Sequence, residues 1–168
     1  MHSAVMAIAP HGRGLFSANR ALLPEGVALR DLWQWCTTVR EHRGDSHVAA
    51  LAVLGINGLE ATVLLAIEQG IDLEMFEDSR GWHHDHMSGT VERLINIGWL
   101  ESRDRLSGAG RGLRSEVEDM TDRQAFAVVS RLAHDYEAVL AVLELAAGCI
   151  REQQEIPFPN PMGLDRPS

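Results

Sequence analysis

The sequence predicts a mainly α-helical protein built on a winged helix-turn-helix, with a short β-hairpin wing and long C-terminal helices. Three observations predict it. Apolar residues recur at helical spacing through most of the chain, three helical stretches separated by glycines precede one short hairpin-forming stretch, and two long helical stretches follow.

Residues 1–25 are rich in Gly, Ala and Pro without sustained periodicity, which predicts a flexible or loosely docked lead-in. In residues 27–42 Leu29, Leu32, Trp33, Cys36 and Val39 predict a helix that stops at Gly44. Asp45 then caps a second helix over residues 46–54. Gly55 and Gly58 bracket a turn, a helix over residues 59–68 ends at Gly70, and residues 72–77 make a short helical piece. The next helix starts near Trp82, carries Met87, Val91, Leu94 and Ile95 on one face and stops at Gly98. Residues 99–101 and 105–107 flank a polar corner and predict the hairpin.

Two helices follow, over residues 109–132 and 135–152. The second carries the stripe Val139, Val142, Leu143, Ala146 and Ile150, wide enough to need a partner surface, either the protein's own first helix or a second subunit, and the expectation is a homodimer. Residues 156–168, with Pro157, Pro159, Pro161 and Pro167, cannot be helical and form a Pro-rich tail. The organisation expected is a lead-in (1–25), one winged-helix domain with flanking helices (26–155) and the tail.

With 168 residues, 45% of them apolar, the chain can bury one core. A formal charge of −9 supplies no general attraction to phosphate backbones, so any DNA contact must come from a local patch. All 15 positions counted as Lys or Arg are Arg. That excludes Schiff-base, phosphate-loop and kinase-type lysines. Cys36 and Cys149 stand far apart, which fits reduced thiols packed as small core residues rather than a disulfide. The apolar run over residues 4–9 is too short for a signal peptide or a membrane span, so the expected location is the cytoplasm.

The stretch VERLINIGWL (residues 91–100) followed by LSGAGRGL (106–113) resembles the recognition helix, wing and following helix of MarR-type winged-helix regulators. There an L-[ST]-x-x-G-R pattern opens the helix after the wing. A closer resemblance is to the actinobacterial SalK-like helix-turn-helix family. It rests on REHRGDSHVAAL (40–51), SRGW (79–82), AGRGLR (109–114) and PFPNPMGL (157–164). Longer members of that family carry an additional N-terminal half, with a junction that would fall in residues 14–26. The resemblance implies a helix-turn-helix fold more directly than an activity.

Three candidate sites follow from the residues. A DNA-reading surface comprises the outward-facing His84, His86, Thr90, Arg93 and Asn96, with Arg80, Arg103 and Arg105 for phosphates. The four arginines Arg80, Arg93, Arg103 and Arg105 stand against Asp85, Glu92, Glu101 and Asp104, so the patch is locally neutral. A winged helix that has lost DNA binding remains the rival reading. The second candidate gathers Arg40, His42, Arg43 and His47 at a helix start, suited to a small anionic ligand, or else charges pairing among themselves around the Asp45 cap. The third is His83 with His86, spaced as metal ligands are on a helix, although exposed histidines are more often simply solvated. No cofactor and no metal is expected. Nucleophile elbow, HExxH and phosphate-loop patterns are missing, so an enzyme is not expected. The four tryptophans Trp33, Trp35, Trp82 and Trp99 read as core packing. The function expected is a MarR-like transcriptional regulator responding to a small molecule. Its rival binds a small anion or a protein and leaves DNA alone.

Overall fold

The structure, a computed structural model, describes residues 1–132, 135–153 and 156. The motif PFPNPMGL and the Pro-rich tail beyond residue 156 lie outside the described residues. In chain order the elements are α1 (His2–Met6), α2 (Gly14–Arg20), α3 (Ala28–Val53), α4 (Gly58–Gln69) and α5 (Glu74–Arg80). They continue with α6 (His84–Asn96), β1 (Leu100–Ser102), β2 (Arg105–Leu106), α7 (Gly108–Leu132) and α8 (Tyr136–Glu152). The fold is mainly helical with a two-stranded antiparallel sheet. The expected single domain over residues 26–155 is instead divided between two compact units. One comprises Met1–Val53 with Val117–Leu145, the other Leu54–Glu116 with the described residues from Ala146 onward.

In the first unit, the expected flexible lead-in proves to be α1 and α2, whose Val5 and Phe16 are both 0% exposed. They pack with Ile8, Trp35 and Val128 into one apolar cluster. Burial of these side chains, at about 25 cal/mol per Å², outweighs the weak intrinsic helicity of such short segments. The predicted break at Gly44 is also corrected, since α3 runs through it without interruption. Trp35, Thr38, His42, Ser46 and Ala50 are buried at spacings of three and four, so the inward stripe continues in polar residues where the apolar pattern stops. Asp45 does cap a helix, but not its own: its Oδ2 accepts the Phe16 N–H of α2 at 2.9 Å.

The second unit buries Val63, Leu64 and Ala66 of α4, Phe76 of α5, Met87, Val91 and Leu94 of α6, and Leu100 and Leu106 of the hairpin. Asn57 starts α4 with a capping box: its side chain accepts from Glu60 N–H, and Glu60 Oε2 accepts from Asn57 N–H. The strands pair Leu100 with Leu106 and Ser102 with Arg105, an irregular step between them keeping both leucines on the core side.

The L-S-x-x-G-R run at Leu106–Arg111 now has a physical account. Ser107 Oγ accepts from Gly110 N–H at 3.0 Å and donates to Gly98 O at 2.6 Å, tying the start of α7 to the end of α6. Arg111 reaches back to Leu106 O at 2.7 Å. A methyl group on Gly110 would be driven into the backbone carbonyl of Trp99. Gly110→Ala is therefore expected to cost about 1–3 kcal/mol by overpacking, read as a lowered melting temperature. An unchanged melting temperature would contradict the close approach.

Some expectations about single residues also change. Trp35 is buried and Trp82 and Trp99 are half-buried, but Trp33 stands 71% exposed. Cys36 is half-buried, its thiol pushed up by burial, whereas Cys149 is exposed rather than in a core. The α8 stripe has no buried member, and Val142 and Ile150 are exposed. Among the described residues, no single helix is long and apolar enough to cross a membrane.

Candidate nucleic-acid interface

In the second unit α5, a turn at Gly81 and α6 follow one another, and the hairpin comes next. Gly81 closes α5 at φ +69°, a left-handed conformation that costs a residue with a Cβ more, and its N–H bonds Glu77 O. Met87, Val91 and Leu94 turn α6 toward the core. At 100° per residue the opposite side is centred on Asp85, Gly89, Glu92 and Asn96, all exposed.

The eight residues expected to meet DNA fall on or beside this surface, but most are already engaged. Arg80 ends α5 with its guanidinium 5.5 Å from the Phe76 ring centroid. His84 is bonded through Nδ1 to Glu77 at 3.0 Å and through Nε2 to Ser88 at 3.3 Å. Thr90 donates to His86 O at 2.8 Å and is half-buried rather than outward-facing. Asn96 and His86 are exposed, the latter with its ring edge-on to His83 at 5.8 Å.

The arginines divide by the burial of their partners. Arg103 pairs with Glu92 at 3.0 Å and Arg105 with Glu101 at 2.6 Å, all four side chains at least half exposed. Such pairs contribute about 0.2–1 kcal/mol, so a phosphate competes readily for either arginine. Ser102 bonds Asp104 at 2.6 Å; that hydrogen bond first, then the backbone N–H of Asp104, holds the carboxyl below its ordinary range. Arg93 differs, because its partner Glu60 is 1% exposed and also closes the α4 capping box. The residue expected to read a base is thus held against α4. The sequence signal for this is Asn57-x-x-Glu60, a capping-box pattern at the start of α4.

The second candidate site lies in the first unit and is not at a helix start. Arg40, His42, Arg43 and His47 sit inside continuous α3, where backbone N–H groups are spent on the helix. Arg40 pairs with Glu41 at 2.5 Å, Arg43 with Glu118 and Asp122 at 2.7 and 3.3 Å, and His47 Nδ1 lies 3.3 Å from Thr121 Oγ1. His42 alone is buried, edge-on to Phe16 at 4.9 Å. Around His83 and His86, as elsewhere among the described residues, no group of three or more His, Cys, Asp or Glu side chains is placed to hold a metal.

Neither a curated protein nor a solved structure matches the chain. A family defined by its helix-turn-helix does match, over residues 1–157, which takes in both units and the α5–turn–α6 arrangement. With nearly its whole length covered, the chain belongs to this helix-turn-helix family.

Proposed function

We propose that the protein is a winged-helix transcriptional regulator of the MarR-like type. In this reading α6 enters the DNA major groove, hairpin β1–β2 is the wing, and the protein works in the cytoplasm as a homodimer joined through α8. A small molecule controls its hold on DNA. The observation that carries the reading is Gly89. It lies in the middle of a 13-residue helix, at the centre of the outward face, where an added Cβ would meet nothing within 4 Å. Glycine inside a helix costs about 0.5–1 kcal/mol relative to alanine, and no neighbour among the described residues requires it here. A surface from outside that approaches the helix backbone closely would require it, and the floor of a groove is such a surface.

The test is a mobility-shift series with the DNA upstream of the protein's own gene, at low salt. With Arg80, Arg103 and Arg105 of each protomer as the phosphate contacts, six in the dimer, log K against log salt should fall with a slope of about −5, shallower than that of a strongly basic repressor. Gly89→Ala should raise fold stability by about 0.5–1 kcal/mol while weakening the shift. Opposite signs in the two measurements support the reading. A folded dimer that gives no shift at micromolar concentration overturns it. The rival reading, a protein-docking or ligand-binding module that leaves DNA alone, is favoured by Asp85 and Glu92 beside Gly89, two carboxylates that repel a phosphate-lined groove.

A further inference from the structure

We propose that the first unit binds a small anion, a carboxylate or a phosphate, between Arg13 and His42. Two independent observations point there. His42 is 1% exposed on α3, and neither of its ring nitrogens has a hydrogen-bond partner among the described residues. An imidazole always carries at least one N–H donor, and native structures rarely leave such buried groups unsatisfied.

Arg13, at the start of α2, is half-buried and touches only neutral oxygens: Ser46 Oγ at 3.4 Å, Gln124 Oε1 at 3.1 Å and His11 O at 3.5 Å. No carboxylate pairs with it among the described residues. A guanidinium drawn partly out of water ordinarily takes a carboxylate or phosphate in a two-pronged hydrogen bond; one ordinary and two long contacts to neutral acceptors leave its charge without that partner.

The surrounding charges leave room for one negative ligand. Asp45, on α3 beside His42, has Oδ2 occupied by the Phe16 N–H. On α7, Glu118 and Asp122 are bonded by Arg43. Burial first, and the positive charge of Arg13 second, hold the His42 imidazole below its ordinary range, with Asp45 acting in the opposite sense. Without an anion His42 is therefore neutral at physiological pH. An anion at Arg13 offsets the guanidinium charge and accepts a hydrogen bond from the imidazolium, so binding takes up one proton. Affinity then weakens as pH rises, by up to about tenfold per pH unit. That such an anion sets the protein's hold on DNA rests on the regulator reading; the binding itself does not.

The experiment follows thermal unfolding of the full chain with benzoate or inorganic phosphate as probe, each at about 10 mM, near pH 6 and near pH 8. The expected result is a raised melting temperature, larger near pH 6, that disappears in Arg13→Gln and in His42→Phe. The phenylalanine keeps the buried ring and gives a folded control. Stabilisation by benzoate alone assigns a carboxylate and by phosphate alone a phosphate. A melting temperature that neither probe moves, or a rise that survives Arg13→Gln, overturns the proposal. Failure of the mobility shift leaves these outcomes unchanged, so the two readings fail separately.

Discussion

Replacing Phe16 with Ala should destabilise the first unit by about 3–5 kcal/mol, as deletion of a fully enclosed aromatic ring does. Phe16 is 0% exposed, packs with Val5, Trp35 and Val128, and presents its ring edge to His42. Hydrogen exchange within residues 28–53 should quicken as the unit opens, while amides in residues 58–96 keep their protection. If residues 1–25 were loosely attached, the substitution would leave exchange unaltered, and that result would refute the packing of α2.

The second large effect is expected at Arg93. Removing its guanidinium strands the Glu60 carboxylate, 1% exposed, without its cationic partner. Breaking a fully buried pair costs about 3–5 kcal/mol, and because Arg93 is itself 53% exposed the loss here should be about 2–3 kcal/mol. Glu60→Gln in the same background should recover most of it, since a glutamine still closes the capping box onto Asn57 without a stranded charge. Chemical denaturation of the two variants measures this. Were Arg93 a base reader and nothing more, Arg93→Ala would cost DNA affinity alone and leave the denaturation midpoint where it was.

These two residues also mark how far the sequence could be read. Helices α4, α6, α7 and α8 and the hairpin lie within a few residues of the expected positions, because their apolar spacing or terminal glycines are strong local signals. Gly44 misled because propensity spoke for a break, whereas the buried stripe through Thr38, His42 and Ser46 is polar and does not register as a helical face. The small cost of an interior glycine is tolerated where packing on both sides continues. Helices α1 and α2 were illegible for another reason. Their order comes from Val128, more than a hundred residues away, and from Asp45, and neither is visible in a local window. On the candidate interface, which residues lie on α6 could be foreseen. Which of them are spent on carboxylates could not, since Glu60 and Glu77 reach Arg93 and His84 through the fold.

The division of the chain has a kinetic consequence. The second unit's core comes from Val63 through Leu106, a contiguous stretch whose contacts close short loops. The first unit must bring Val5 and Phe16 to Val128, so completing its core closes a loop of roughly a hundred residues, at an entropic cost that grows with the logarithm of loop length. During synthesis the N-terminal helices therefore leave the ribosome early and wait for α7, while the middle of the chain is free to fold as it emerges. Phe16 can meet Val5, Trp35 and His42 early, but its side facing Val128 stays uncovered throughout that interval. Chaperone dependence and aggregation during expression should accordingly track substitutions in the ends of the chain more closely than those in its centre.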